Sequence, residues 1–481
     1  MPARKTYEKP PSVQKNAPSI RIKPLKVKQG NWFWLWFSFT GVAMLSATAG
    51  ALLAVSLSST PLLQSRLTAA EKALFTKGGS MTSSSLRVPE LTRPVNILIL
   101  GTKVLASDLP ELAGKKPAYE EVNSFEGPTD TMLLLRFDPE AKKIAILSVP
   151  RDTRTYIEGQ GVTKINAANV QGGPALAAKA VSDLLEGVGI DRYIRVNVQG
   201  VQNLVDALGG VTVYVPQDMK YQDDSQHLYI NLKQGRQHLN GNKALQLLRF
   251  RYDKNGDIGR VQRQQMVMRA LMEQALNPTT LARMPKILSV IQSHIDTNLS
   301  VEELIALVGF GVHTDRSNMQ LLMVPGDFNG DGRRDTSYWL PDNRRIQQIM
   351  AQYFDQGYSD TRNVDPAYLR VAIQDTIGKP EAAQAMVSTL RQTGYQNISI
   401  DDSWREPLRV TRIVAQQGDN GSAAAIRRQL GFGEVRIEST GSISSDVTIQ
   451  LGRDWLQRMG EKTSPLGVGV SNRSSNSFQR R

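Results

Sequence analysis

The sequence predicts an α/β domain with a mixed sheet covered by helices on both faces, followed by a small α+β domain and preceded by one N-terminal transmembrane helix. Three observations carry that reading. Between residues 94 and 345, short apolar runs that suit buried strands alternate with longer stretches of helical periodicity, the pattern of a sheet with helices packed on it. A second, shorter cycle of strands and helices fills residues 365–455. Residues 32–57 are 26 positions without a charge, and about 20 apolar residues in a helix span a bilayer core.

Charge orients the apolar segment. The 481-residue chain has a formal net charge of +13, which would suit a nucleic-acid surface if it were spread over the molecule. Instead, residues 1–31 hold eight Lys or Arg against one Glu, and residues 466–481 add three arginines, so the body keeps only about +3. A basic flank before the span places the N-terminus in the cytoplasm, with Trp32, Trp34 and Trp36 at the interface that indoles favour. Ala47-Thr48-Ala49 also resembles a signal-peptide cleavage site. The apolar run continues past it and the basic region before it is long, which favours an anchor. Residues 58–93 read as a Ser-, Thr- and Lys-rich stalk, and the domains beyond lie outside the cytoplasm, in the periplasm or cell wall.

The first domain opens with VNILILG at 95–101. Strands at 131–137 and 144–149 flank Asp138-Pro139-Glu140, a turn signal that makes them an antiparallel hairpin. Residues 174–186 form a helix opened by Gly172-Gly173, with Pro174 in its first turn. Strands at 193–198 and 211–215 enclose the helix GVQNLVDAL, and further helices run at 258–276 and 301–309. In the second domain, strands at 369–373, 398–400, 410–414, near 435 and at 447–451 alternate with helices at 381–392 and 421–430. Residues 456–481, rich in Ser, Arg and Gly, read as a disordered tail.

Four arginines fall within fifteen residues: Arg249, Arg251, Arg260 and Arg263. Guanidiniums converging from two elements hold phosphate or pyrophosphate bidentately. The plainer alternative is a solvated cationic face paired with Asp253 and Asp257. Gln264 shares a helix face with Arg260. Arg151 directly follows a strand in SVPRDT, and Asp130 in GPTDT opens a strand on the same side of the sheet. Asp130 suits either a salt bridge or Mg²⁺ held against a pyrophosphate, since that ion takes one or two carboxylates plus phosphate oxygens. The helix start at Gly172-Gly173-Pro174 adds donors for an anion, with Lys164 and Asn166 just upstream. DFNGDGRRD, from Asp327 to Asp335, has the early spacing of a calcium loop, but Tyr338 stands where its bidentate glutamate belongs, so it reads as a polar turn. His227, His238, His294 and His313 have no metal-ligand spacing, and the absence of cysteine excludes disulfides and thiolate chemistry.

In order and spacing, TDTMLLLRFDPEAKKIAILSVPRDT, KINAANVQGGPALA, LVDALGGVTVYVP, GRQHLNGNKALQLLRFR and GDIGRVQRQQ resemble the LytR-CpsA-Psr (LCP) family over residues 94–342. Residues 365–455 resemble the LytR C-terminal domain that often accompanies it. The resemblance implies a membrane-anchored, Mg²⁺-using phosphotransferase. It would move a glycopolymer from a polyprenyl-pyrophosphate carrier onto peptidoglycan or another envelope acceptor. Carried over by motif, Asp130 is a metal ligand and Arg151 contacts the pyrophosphate and assists transfer. Arg249, Arg251, Arg260, Gln264 and Lys164 bind phosphates, and Asp257 and Arg263 support the site. The lipid chain takes an apolar cleft in the α/β core.

The chain departs from the family at two positions. Lys103 stands where a second acidic metal ligand is usual, and Pro128 where arginine is common. Either the Lys103 ammonium replaces part of the metal's charge or Asp108 reaches in. Lys103 also favours a second reading, a non-catalytic module that binds polyprenyl phosphate or wall polymer. A DNA-binding regulator does not fit, because the inward segment of 31 residues is too short and polar to fold into such a domain.

Overall fold

The computed structural model describes residues 62–75, 79–83, 89–103, 124–224, 228–250, 256–275, 277–329, 337–356, 365–401, 406–442 and 444–463. The chain divides into two units, Met1–Thr60 and Pro61–Arg481. The expected basic segment 1–31 and apolar span 32–57 lie outside the described residues. Among the described residues, no helix is long and apolar enough to cross a membrane.

The core of the larger unit is a six-stranded sheet of β1 (Val95–Thr102), β2 (Thr129–Asp138), β3 (Lys143–Val149), β4 (Arg192–Asn197), β5 (Ile295–Thr297) and β6 (Met319–Met323), in the order β5-β4-β1-β2-β3-β6. The sheet is mixed: β1 and β3 each lie antiparallel to β2, while β4 runs parallel to β1 and β6 parallel to β3. Strand periodicity sends alternate side chains to opposite faces. On one face Leu98, Leu100, Met132 and Leu134 pack with α1 (Ala168–Leu184). On the other, Leu133, Ile146 and Leu321 meet Met268 and Met272 of α2 (Gly256–Ala275) and Phe310 of α3 (Val301–Val312). Both faces are covered, as expected.

Three boundaries move. The core does not stop at 345, because α4 (Asn343–Tyr353) buries Ile346, Ile349 and Met350 in it. Nor does it wait for residue 94: Phe75, from the expected stalk, is 1% exposed and lies 5.3 Å from the Tyr193 ring. Leu67 and Leu74 of the same stretch pack against this core too, but one short helix, Ala69–Leu74, gives little periodicity to read. Helical chain reaches back to Ala168, while the helix expected from Pro174 starts as read, after a break at Gly172 and Gly173, where Gly173 takes a φ of 60° that favours glycine.

The second domain is a five-stranded sheet of β7 (Val371–Asp375), β8 (Ile398–Ile400), β9 (Arg412–Ala415), β10 (Glu434–Arg436) and β11 (Val447–Leu451), ordered β8-β7-β11-β9-β10. Its helices are α5 (Pro380–Gln392), α6 (Asn420–Leu430) and α7 (Arg453–Thr463). α7 corrects the expected start of the tail at 456: Trp455 is buried, stacks 5.6 Å from Phe432 and donates to the Ala382 carbonyl at 2.9 Å. This domain docks on the first, the Leu321 amide donating to the Ile437 carbonyl at 2.9 Å and Arg269 pairing with Glu438 at 3.0 Å.

Candidate active site

The register of the central strands builds the site. Met132 pairs with Val149 across β2 and β3, so the chain two residues before the one and two after the other brings Asp130 to Arg151. Arg151 Nη1 donates to Asp130 Oδ1 at 2.5 Å. Asp130 is offered by a bulge: Gly101 pairs with Thr131 and Thr102 with Thr129, so one residue of β2 is left over between them. Bulges of this kind re-aim a side chain at a strand end. The bulge occupies the last step of β1, and Lys103 follows it directly.

The loop after β3 is fastened by its backbone. The Thr153 amide donates to the Pro150 carbonyl at 3.0 Å, Asn166 N to Arg151 O at 3.3 Å, and Trp339 N to Asp152 O at 2.9 Å. Asp152 joins two cations, accepting from Lys164 Nζ at 2.8 Å and from Arg151 Nε at 3.4 Å. Burial works against the charge on Arg151; the carboxylates of Asp130 and Asp152 more than offset it and hold the guanidinium above its ordinary pKa. From α2, Gln264 Nε2 donates to the Asp130 carbonyl at 3.5 Å.

Asp130, Arg151, Asp152 and Gln264 stand on the wall of a cleft of about 1110 Å³ of empty space, open mouth included. Its remaining lining is mostly apolar: Ile99, Leu133, Ile146 and Leu321 from the sheet, Val267, Met268 and Leu271 from α2. A charged and hydrogen-bonding rim over a greasy interior suits an amphiphile with an anionic head.

The other expected residues divide. Arg263 is 3% exposed and turns inward, donating to the Phe250 carbonyl and stacking over the Phe250 ring at 5.7 Å. It closes the end of the helix Gly241–Arg249 instead of facing the cleft. Arg249 ends that helix, half-buried, and its neighbour Leu248 lines the cleft. Arg251 and Asp108 lie outside the described residues, as do the side chains of Arg260 and Asp257. The expected polar turn from Asp327 to Asp335 falls in the hairpin of Gly326–Phe328 and Trp339–Pro341, with 330–336 outside the described residues; Asn329 Oδ1 there accepts from the Tyr338 amide at 2.7 Å. Asp152 was not singled out from the sequence, although its place beside Arg151 in PRDT was the available signal.

A divalent cation fits these residues only as the partner of a phosphate. Asp130 offers one carboxylate, already paired with Arg151, and no group of three potential metal-ligating side chains exists among the described residues. The buried Thr102 and Thr129 hydroxyls beside the bulge have no hydrogen-bond partner among the described residues, which leaves oxygens of the type Mg²⁺ prefers.

The profile of the LytR_cpsA_psr family matches residues 62–355, and that of the LytR cell envelope-related transcriptional attenuator matches 368–455. The polyisoprenyl-teichoic acid–peptidoglycan teichoic acid transferase TagV of Bacillus subtilis (strain 168) is 31% identical over 231 residues, 47% of this chain and 58% of that protein. TagU of Oceanobacillus iheyensis, a transferase of the same description, is 31% identical over 265 residues, 54% of this chain and 74% of that protein. The regulatory protein MsrR of Staphylococcus aureus is 34% identical over 200 residues, 41% of this chain and 59% of its own length. The crystal structure of B. subtilis TagV superposes with a TM-score of 0.46 at 27% identity, covering 55% of this chain and 99% of that one. With the family profile spanning more than half of its length, this chain is a member of the LytR-CpsA-Psr family.

Proposed function

We propose that the chain is a membrane-anchored phosphotransferase that moves a glycopolymer from a polyprenyl-pyrophosphate carrier to peptidoglycan or another envelope acceptor. The observation that carries the proposal is the Asp130–Arg151 pair at an apolar cleft. The polyprenyl chain lies among Ile146, Val267, Met268 and Leu271. Its pyrophosphate meets Arg151 at the rim, and Lys164 and Gln264 border the same end. Arg249, Arg251 and Arg260 flank this end in sequence and add phosphate contacts. The acceptor hydroxyl attacks the phosphorus next to the glycan, that P–O bond to the carrier breaks, and the carrier leaves as its phosphate. Arg151 stabilises the charge that develops, where positioning and electrostatics supply most of the rate. Asp130 is placed to take up the hydroxyl proton or to hold Mg²⁺ brought in with the pyrophosphate; the ion supplies neutralisation of phosphate charge. The uncharged residues 32–57 anchor the chain with the basic segment inside, which puts the cleft on the outer face of the cytoplasmic membrane, where a lipid-linked glycan is presented.

Lys103, directly after the bulge that offers Asp130, favours the second reading, a module that holds the lipid without turnover. Incubating the full chain in detergent with a polyprenyl-pyrophosphate glycan, a wall acceptor and Mg²⁺ separates the two. Release of polyprenyl phosphate with labelling of the acceptor is the expected result. Tight lipid binding with no release would establish the module instead.

A further inference from the structure

A second cavity lies against α2 on the side away from the cleft, at the seam between the two domains. The two cavities share the strand β6, where Leu321 lines both. From the first domain the seam receives Arg236 and Arg269, and from the second Arg412 and Arg436. Two of these are satisfied: Arg269 by Glu438 at 3.0 Å and Glu273 at 3.3 Å, Arg436 by Glu434 at 2.6 Å. Arg412 is not. Its side chain is 20% exposed, and the nearest carboxylate among the described residues is Glu406 at 4.0 Å, beyond hydrogen-bonding reach. Arg236, on the strand Gly235–Leu239, is exposed on the same wall.

An arginine keeps its charge at any physiological pH, and Arg412, partly buried and with its carboxylate only at 4.0 Å, leaves its guanidinium donors open to an added anion. Burial, then the like charge of Arg269, push its pKa below the ordinary value, against the opposing pull of Glu406 and Glu438. We propose that this seam is a binding site for a phosphate-class oxyanion, free or carried on a polymer, held by Arg412 and Arg236. A tetrahedral oxyanion can bridge forks arriving from two domains, whereas a planar carboxylate satisfies one fork fully. The cavity holds about 1160 Å³ of empty space, open solvent included, ample for a phosphate group. The site is separate from the transfer centre and stands whether or not the chain is a transferase.

Calorimetric titration of the full chain in phosphate-free buffer tests this, with inorganic phosphate and a short glycerol-phosphate oligomer as probes. The chain carrying Arg151→Ala loses the central phosphate contact of the cleft and keeps the seam intact. In that background saturable phosphate binding should remain, and Arg412→Gln and Arg236→Gln should each weaken it about tenfold or more. Stronger binding of the oligomer per phosphate assigns a polymer; equal binding assigns a free oxyanion. Arg236 is exposed, so its variant decides alone if Arg412→Gln does not fold. The proposal is overturned if the Arg151→Ala chain binds neither probe, if Arg236→Gln leaves binding unchanged, or if an oligogalacturonate of equal charge binds as well as the phosphate oligomer.

Discussion

Arg151 and Asp130 meet because a hairpin register carries one strand's start to the other strand's end, and both residues were legible in PRDT and PTDT. Asp152 was not, because a carboxylate next to an arginine in sequence usually points elsewhere. Only the fastened loop shows that it links Arg151 to Lys164. Arg263, one of four closely spaced arginines and expected to support the site, does so from behind, closing a helix end at the Phe250 carbonyl. Lys103→Asp restores the acidic position usual in the family, and its activity should become more sensitive to chelator than the parent's. Equal sensitivity in both would place Lys103 outside the metal's reach. No motif marks the buried group around Arg195, which pairs with Asp296 at 2.5 Å while Asp296 also accepts from Ser65 and Tyr193. Removing one partner of a buried ion pair costs about 3–5 kcal/mol. Asp296→Ala should therefore lower the unfolding free energy from denaturant titration by that much; a change under about 1 kcal/mol, the range of surface pairs, would mean water already screens it.

α2 was legible as a helix but not as a wall between two cavities. Gln264, Val267, Met268 and Leu271 face the cleft; Met266, Arg269, Ala270 and Glu273 face the seam. Two lined faces at helical spacing leave no single apolar stripe, so periodicity indicates a helix without saying what it separates. Met268→Trp fills the cleft from this helix without touching the Asp130–Arg151 pair. Lipid-substrate KM should rise about tenfold or more, because displacing several buried methylenes forfeits about 0.8 kcal/mol each. An unchanged KM would put the lipid elsewhere. Close approach also fixes the neighbouring helix Val198–Leu208: a Cβ on Gly241 would stand 2.2 Å from the Gln202 carbonyl oxygen. That constraint is invisible in a sequence where glycine reads only as a turn.

At the scale of the molecule, the order of domains was plain from composition and motif, but their union was not, because the contacts joining them link residues distant in sequence. Glu438 to Arg269 and Ile437 to Leu321 tie the second domain to α2 and β6. Glu438→Ala leaves Arg269 short of its 3.0 Å partner and should cost about 1–3 kcal/mol, seen as one shifted unfolding transition. Two separate transitions, neither moved, would show that the domains fold independently of the seam. Transfer is proposed at the Asp130–Arg151 pair. The most direct measurement is release of polyprenyl phosphate by the full chain and by Arg151→Ala, with circular dichroism confirming the same fold. Loss of transfer by about 100-fold or more in the variant is the predicted result, the scale of removing one group that stabilises developing charge. Transfer at the parent's rate in a folded Arg151→Ala chain would contradict the account.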